Sequence, residues 1–280
     1  MLRTRHPVRL LGGDDVDEAL ELCAQDPASH VFVASRIIDG AMGRGSTSTH
    51  GYFEDGRLTA LLWTVANVVP VGTDPRARLA LAERARKARR RCASFLGPRE
   101  EVMDLWALAG DAYPPPRSVR DQPLMTTRTR PSELGVSLDE RVRPARPEEL
   151  DLVLPAAEHM FTEEIGYPPY SGSPTFYRDS IWRLIQAGRT YVVVDGGRVV
   201  FKADLGSVAL DTCQVQGVWL APDLRGQGLA VPMMAAAVER AMTEHASLVT
   251  LYVNDFNAPA LATYRAIGMQ QVGRFATILF

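Results

Sequence analysis

The stretch "LAPDLRGQGLA", residues 220–230, follows the apolar run 213–220 and precedes a helical pattern over 229–246. Glycine at positions 226 and 228 allows the backbone to approach a partner closely and exposes its N–H groups. The helix that follows would direct the positive end of its dipole at the same place. Both features suit an anion, most often a phosphate group. The stretch therefore predicts a phosphate-binding turn between a strand and a helix.

Two common phosphate motifs do not fit this turn. A Walker loop would need Gly-Lys-Ser/Thr after the glycines, and none follows. A dinucleotide fingerprint would need a further glycine where Val231 stands. A lone G-x-G between a strand and a helix is more often a tight turn, but a second segment, "VNDFNAPALATYRAIGM" (253–269), follows one helix and one strand later.

Together the two segments resemble the GCN5-related N-acetyltransferase (GNAT) superfamily. The family signature R/Q-x-x-G-x-G/A is matched by residues 225–230. The later pattern N-x-x-A-x-x-x-Y-x-x-x-G-F is matched by Asn257, Ala260, Tyr264 and Gly268, with Met269 in place of the aromatic residue. The specific match spans about 217–269, and the likeness at domain level covers about 140–280.

The chain also contains a weak internal repeat. "VRLLGGDDVD" from Val8 and "VRPARPEELD" from Val142 each read as a short strand, an acidic turn and a helix. Hairpin patterns follow at 51–63 and 190–205, with turns at Asp55-Gly56 and Gly196-Gly197. We expect the order strand, helices, hairpin, strand, helix, strand, helix to occur twice, which indicates a duplication.

The resemblance and the repeat predict an α/β (α+β) fold with two tandem GNAT-like domains, 1–130 and 140–280. Each would be a mixed, mostly antiparallel twisted sheet flanked by helices. The first domain is predicted to be degenerate and structural, because Asp74 and Pro75 replace the glycine turn. Trp106 stands there at the place of Tyr264, and an indole cannot act as that acid.

The resemblance implies acetyl-CoA, or another acyl-CoA, as co-substrate. In the family the turn holds the pyrophosphate, the preceding strand exposes backbone groups to the pantetheine arm, and an asparagine bonds a pantetheine amide. The implied cofactor-binding residues are Val218, Trp219, Leu220, Arg225, Gly226, Gln227, Gly228, Leu229, Ala230 and Asn257.

The resemblance gives Tyr264 the role of the acid that assists departure of the CoA thiolate. The base is less defined, because the strand before the turn carries Gln214 and Gln216, which cannot accept a proton. The candidates are Glu163 and Glu164, in a segment that corresponds to the substrate-covering helices of the family. Aromatic residues in that region suit an acceptor pocket: Phe161, Tyr167, Tyr170 and Tyr177.

We therefore expect acetyl transfer from acetyl-CoA to a primary amine of a small molecule, by direct attack in a ternary complex. Two alternatives stay open. One is acetylation of a protein lysine or N-terminus, and the other is a non-catalytic acyl-CoA sensor. Retention of Tyr264 favours an enzyme. The strand before the turn lacks a glutamate that could act as the base, so a sensor stays an alternative.

Composition limits the partners. A length of 280 residues suits two domains, and a net charge of −2 gives no general attraction to nucleic acid or to an anionic membrane. No apolar run is long enough for a membrane helix. The three cysteines are far apart, which predicts a reduced, cytoplasmic protein without a metal site. The sequence leaves open whether the chain forms a homodimer.

Overall fold

A computed structural model describes residues 7–43 and 46–280 of the chain. The strands are β1 (Val8–Leu10), β2 (Thr49–Glu54), β3 (Arg57–Val71), β4 (Cys92–Pro98), β5 (Ser118–Thr127), β6 (Arg143–Pro144), β7 (Thr190–Asp195), β8 (Arg198–Ala209), β9 (Thr212–Leu220), β10 (Leu248–Tyr252) and β11 (Gln270–Leu279). The α-helices are α1 (Val16–Ala24), α2 (Pro27–Arg36), α3 (Pro75–Lys87), α4 (Arg99–Ala109), α5 (Leu150–Ile165), α6 (Thr175–Gln186), α7 (Ala230–Glu244) and α8 (Ala258–Ala266).

The chain folds into two compact units, and each is a mixed sheet flanked by helices. Unit 1 comprises Met1–Met125, Tyr252–Asn257 and Gln271–Phe280, and unit 2 comprises Thr126–Leu251 and Ala258–Gln270. The predicted fold class is confirmed. The predicted domain ranges, 1–130 and 140–280, stay a prediction, since the contact units do not follow a single cut in the chain.

In unit 1 the strand order is β1-β2-β3-β4-β11-β5. The pairs β1–β2, β2–β3 and β4–β11 are antiparallel, and β3–β4 is parallel. The β2–β3 hairpin turns at Asp55 and Gly56, whose φ angles of 49° and 84° are the left-handed pair that a tight two-residue turn requires. The sequence pattern predicted this turn correctly.

The predicted separate strand after this hairpin does not form in unit 1. Instead β3 is 15 residues long: residues 57–63 pair with β2, and Ala66 to Val68 pair with β4. The change of partner occurs at Ala66, which has a φ of 59°. Residues 57–69 contain no glycine or proline, so nothing in the local sequence ends the strand between the two pairings.

In unit 2 the strand order is β10-β9-β8-β7-β6. The β9–β10 pair is parallel, and β6–β7, β7–β8 and β8–β9 are antiparallel. The β7–β8 hairpin turns at the predicted Gly196 and Gly197, with φ angles of 57° and 75°. The β8–β9 hairpin turns at Leu210 and Asp211, with φ angles of 52° and 50°, without a glycine to signal it.

The two units carry the same ion pair at matching places, which supports the predicted duplication. Arg9 binds Asp15 at 2.6 Å before α1, and Arg143 binds Glu149 at 2.6 Å before α5. Each carboxylate also accepts a backbone N–H three residues earlier, from Gly12 at 2.9 Å and from Arg146 at 2.8 Å. The separation along the chain between Arg9 and Arg143 equals that between Asp15 and Glu149.

The place in unit 1 that corresponds to the glycine turn is filled by the protein itself. The Asp74 carboxylate caps α3 by accepting the Ala77 N–H at 2.7 Å, and Pro75 occupies the first helical position. A carboxylate there satisfies the donors that an anion would need and repels a second negative charge.

Trp106 of unit 1 belongs to an aromatic core. Its ring centroid lies 5.2 Å from that of Phe95, 5.9 Å from Tyr113 and 6.0 Å from Phe280. Such contacts give Trp106 a packing role in unit 1.

The last strand of the chain completes unit 1. Strand β11 pairs with β4 from Phe275 opposite Pro98 to Leu279 opposite Ser94. We therefore predict that a fragment of residues 138–280 aggregates, because β11 loses its β4 partner and becomes an unpaired strand. The matched control is residues 138–269, which lack β11 and should stay more soluble. Light scattering after expression compares the two, and equal solubility would contradict the prediction.

Candidate active site

The turn between β9 and α7 has the conformation that glycine permits. Gly226 and Gly228 have φ angles of 75° and 77°, in the left-handed region that other residues rarely adopt. No atom lies within 4 Å of the place where a Cβ would stand on either glycine. The turn is exposed, so its backbone faces open space that a ligand can enter.

Helix α7 begins directly after this turn without a side-chain cap. Its N-cap residue is Leu229, no side chain bonds the first turn, and no acidic residue stands there. The first N–H groups of a helix have no partner within the helix, so those of Ala230 and Val231 are available to an anion. Pro232 fits because it lies in this first turn, where a missing N–H costs no helical hydrogen bond.

Two side chains of the turn brace its shape. The guanidinium of Arg225 donates to the Leu220 carbonyl at 2.9 Å and binds the Glu163 carboxylate at 2.7 Å. The Gln227 amide donates to the Asp223 carbonyl at 2.9 Å. Glu163, one of the two predicted bases, thus ties the end of α5 to the turn.

Strand β9 leaves its neighbour β10 before it reaches the turn. The parallel register runs from Thr212 opposite Leu248 to Gln214 opposite Thr250, whereas β9 continues to Leu220. The predicted pantetheine-binding residues, Val218, Trp219 and Leu220, lie in this last part of the strand.

The same part of β9 contains a bulge. Trp219 pairs with Lys202 and Gln216 with Asp204, so Gly217 and Val218 together stand opposite one residue of β8. Gly217 has a φ of 59°. A bulge of this kind bends the strand and redirects its backbone groups.

A buried ion pair lies against the bulge. Lys202 is 0% and Asp204 is 3% exposed, and the ammonium binds the carboxylate directly. The Lys202 ammonium also donates to the Gly217 carbonyl at 3.3 Å, and the Thr190 hydroxyl donates to Asp204 at 2.9 Å. A Cβ on Gly217 would lie 2.8 Å from the Asp204 carboxylate, so only glycine fits there.

Two buried donors near the bulge have no hydrogen-bond partner. They are the indole N–H of Trp219 and the side-chain nitrogen of Gln214. The Trp219 ring stacks on His159 of α5, with centroids 6.0 Å apart and planes 19° apart. The Trp219 side chain is therefore packed between β9 and α5, which leaves the backbone as the part of this residue that can meet a ligand. Gln216 is exposed.

The predicted aromatic residues form one cluster on α5, α6 and the loop between them. The ring of Phe161 lies 6.2 Å from Tyr167 and 6.0 Å from Tyr177, and Tyr170 lies 6.1 Å from Tyr177. The Tyr170 hydroxyl donates to the Glu158 carboxylate at 2.7 Å. Burial, followed by the charge of nearby carboxylates, raises the pKa of Tyr177 above its ordinary value.

Tyr264 lies on α8 and is buried, 7% exposed. Burial raises the pKa of Tyr264 well above its ordinary value, and the negative charge of Glu164 raises it further. The structure thus brings Glu164 within electrostatic reach of Tyr264, and the phenol keeps its proton at neutral pH. The predicted acid and one predicted base belong to the same part of unit 2.

Asn257 immediately precedes α8 and is exposed. Its backbone N–H donates to the Asn254 carbonyl at 2.9 Å, within the segment Tyr252–Asn257 that belongs to unit 1. The position before the first helical residue is the one where asparagine is a favoured cap. Its predicted bond to a pantetheine amide stays a prediction.

Residues 7–43 and 46–280, the part of the chain that the structure describes, also bear on metal binding and membrane spanning. No group of His, Cys, Asp or Glu side chains in these ranges is arranged to hold a metal ion. No helix among them is long and apolar enough to span a membrane. Cys23, Cys92 and Cys213 are buried and unbridged, and burial raises the pKa of their thiols to about 12, 11 and 12.

Sequence reasoning missed the bulge and the ion pair beside it. The available signals were Gly217 inside an otherwise continuous strand pattern, and two charged residues in the apolar run "VVFKADL" (199–205). It also missed the pairing of Arg225 with Glu163, because their contact joins segments far apart in the chain.

Comparison with known families gives two matches. The profile of the acetyltransferase (GNAT) family matches residues 157–269. A domain of unknown function (DUF4081) matches residues 47–153. A search of curated proteins finds no match.

Several solved structures share the fold along nearly the whole chain. A GCN5-related N-acetyltransferase from Sphaerobacter thermophilus is 15% identical, with a TM-score of 0.61 over 97% of this chain and 94% of that one. A tandem GNAT protein from the clavulanic acid biosynthesis pathway is 15% identical, with a TM-score of 0.56 over 96% and 98%. A GNAT-family acetyltransferase from Colwellia psychrerythraea is 12% identical, with a TM-score of 0.58 over 98% and 99%.

The open space at the turn gives a direct test. We predict that Gly228→Trp abolishes coenzyme A binding in calorimetry, because the indole would fill the space in front of the α7 N-terminus. The matched control is Gly188→Trp in the same unit, where glycine also has a positive φ, 65°, and no atom lies within 4 Å of a Cβ. The control should bind as the parent does. Parental affinity in Gly228→Trp would show that the site lies elsewhere.

Proposed function

Because the chain belongs to the GNAT superfamily through residues 157–269, we propose that it transfers an acetyl group from acetyl-CoA to a primary amine of a small molecule. The amine attacks the thioester directly while both substrates are bound. The observation that carries the proposal is the uncapped N-terminus of α7 behind a turn of two left-handed glycines.

Acetyl-CoA would be held mainly by backbone groups. The N–H groups of residues 226–230 would hold the pyrophosphate, with the α7 dipole adding to the attraction, whereas the Arg225 N–H is bonded to the Pro222 carbonyl at 3.3 Å. The Arg225 side chain is engaged by Glu163 and Leu220, so it shapes the turn and also supplies positive charge beside it. Asn257 would bond a pantetheine amide.

The last residues of β9 would bind the thioester end of acetyl-CoA. Beyond Gln214 the strand has parted from β10, which supports binding of the pantetheine arm along Val218, Trp219 and Leu220. A backbone N–H there would stabilise the negative charge that develops on the thioester oxygen as the amine attacks. Donors fixed in advance are effective because they need no reorganisation during the reaction.

Tyr264 would assist departure of the thiolate as a neutral hydrogen-bond donor. A free thiol has a pKa of about 8.5, and that of Tyr264 is raised above the usual value of about 10 for a phenol. Full proton transfer from the phenol to the thiolate is therefore uphill. A hydrogen bond from the phenol still lowers the energy of the departing thiolate, and the thiolate needs no full proton transfer from Tyr264 in order to leave.

Glu164 is the base that the arrangement favours, with Glu163 as the second candidate. Glu164 lies close enough to Tyr264 to raise its pKa, whereas the Glu163 carboxylate is bound to Arg225. An amine arrives largely protonated at neutral pH and must lose a proton before it attacks. The aromatic cluster around Phe161 and Tyr177 would cover the acceptor. A cytoplasmic location and a homodimer stay predictions.

The first test of this mechanism is Tyr264→Phe, which keeps the ring and removes the hydroxyl. We expect turnover to fall about 10²–10³-fold, as on removal of other hydrogen-bond donors to a developing negative charge, with the affinity for acetyl-CoA little changed. Release of free CoA thiol in the presence of a panel of amines measures the rate.

The matched control for Tyr264→Phe is Tyr191→Phe. Tyr191 is a buried tyrosine of unit 2 whose hydroxyl bonds Glu244 at 2.9 Å. The control should lose about 1 kcal/mol of stability and keep its turnover. If no amine in the panel releases CoA from the parent while acetyl-CoA binds, the protein is a sensor rather than an enzyme.

The second test is Glu164→Gln. If Glu164 takes the ammonium proton, the variant should flatten the rise of rate with pH, and Glu163→Gln should leave that rise in place. Since the negative charge of Glu164 raises the pKa of Tyr264, the variant should also lower the pKa of Tyr264, which an NMR titration of labelled tyrosine measures. A parental pH profile in Glu164→Gln would remove this residue from the mechanism.

A further inference from the structure

The buried pair Lys202 and Asp204 has no role in the mechanism described so far. Both charges lie in the interior of unit 2, on the side of the sheet where Met160 of α5 approaches Gly217. Burying two charges is costly, and a well-packed apolar pair of similar volume is often as stable or more so. Stability alone is therefore a weak reason for a lysine and an aspartate at this place.

The bonds of the pair lead to one peptide group. Thr190 and Lys202 both donate to Asp204, which fixes the carboxylate and the ammonium against each other. The ammonium has a further partner, the Gly217 carbonyl at 3.3 Å. That carbonyl belongs to the peptide group that joins Gly217 to Val218, within the bulge.

The geometry of a peptide group transmits this contact to the other side of the strand. A trans peptide is planar, so the Gly217 carbonyl and the Val218 N–H point in opposite directions. Lys202 holds the carbonyl from β8, which turns the Val218 N–H away from β8. The Val218 N–H then points to the edge of β9 that faces β10, and pairing with β10 has already ended there, at Gln214. The positive charge of the Lys202 ammonium, next to the Gly217 carbonyl oxygen, polarises the peptide group. The Val218 N–H thereby becomes a stronger hydrogen-bond donor, since hydrogen-bonded groups polarise one another.

We propose that Lys202 is a positioning residue for acetyl transfer, which fixes and polarises the Gly217–Val218 peptide so that the Val218 N–H bonds the thioester oxygen. The Asp204 carboxylate holds the ammonium in place and neutralises it, and the Thr190 hydroxyl fixes that carboxylate. This inference rests on the proposed function, because it needs acetyl-CoA along β9. Its consequence is that a residue without contact to either substrate controls the transition-state charge.

The main experiment uses acetyl-CoA with a ¹³C label at the thioester carbonyl, bound to the full-length protein. Infrared difference spectra should show the carbonyl stretch at lower frequency when bound, because the Val218 N–H draws electrons towards the oxygen. Lys202→Met keeps the side-chain volume and removes the charge, and it should lose most of that downshift. Its kcat should fall by about 10²-fold, the lower end of the loss on removing an oxyanion donor, with KM for acetyl-CoA unchanged.

The control is Arg130→Met, which removes the positive member of another ion pair in unit 2, with Glu239 at 3.2 Å. It should keep both the downshift and kcat. Lys202→Met leaves Asp204 without its partner, so Lys202→Met/Asp204→Leu, which removes both charges, is made as well. It should fold and show the same loss of downshift.

The outcomes separate the inference from the proposed function. Failure of the parent protein to bind labelled acetyl-CoA would overturn the proposed function. Binding with a parental downshift in Lys202→Met, or in the double variant, would overturn only the role of Lys202. The parent also provides a test without substitution: acetyl-CoA should shift the Val218 amide proton in NMR spectra, and an unmoved Val218 signal would overturn the inference.

Discussion

Backbone N–H groups at the start of a helix need an acceptor from outside the helix, and this requirement sets the first turn of α7 apart. No side chain caps it, and the glycine turn in front of it leaves open space. In unit 1 the equivalent helix α3 is capped by Asp74. One carboxylate in place of two glycines thus distinguishes the capped start of α3 from the uncapped start of α7.

The remaining parts of the site are arranged around this helix end. Strand β9 leads into the turn, and its pairing with β10 ends at Gln214. Arg225 and Glu163 tie the turn to α5, whose other residues belong to the aromatic cluster. Helix α8 adds Tyr264, buried and protonated. Acetyl-CoA bound at the turn would therefore place its thioester near Tyr264, Glu164 and the aromatic cluster, all within unit 2.

Tyr264 shows how burial decides a chemical role. The pKa of a tyrosine exposed to water stays near its ordinary value. Burial and the charge of Glu164 raise the pKa of Tyr264, so the phenol keeps its proton. The group acts best as a donor of a hydrogen bond. Trp106, at the corresponding place in unit 1, packs in an aromatic core and has no such hydroxyl. Unit 1 thus has a packed indole where unit 2 has the phenol of Tyr264.

The sequence by itself determined the fold class, both glycine-containing hairpins and the conformation of the glycine turn. These features depend on local rules: positive φ favours glycine, alternation marks strands, and the acid before a helix marks its start. The motif spacing also identified Tyr264 and the turn at 226–228, whose roles stay predictions.

Only the tertiary structure decided the features that join distant segments. The sequence predicted a separate strand after the first hairpin, but β3 runs on and changes partner at Ala66. Strand β11 pairs with β4 of unit 1, a partner far away in the chain. The contact of Lys202 with the Gly217 carbonyl forms only because β8 and the bulge of β9 lie side by side. Strand partners and buried charges depend on long-range contacts, and these leave no periodic trace in the local sequence.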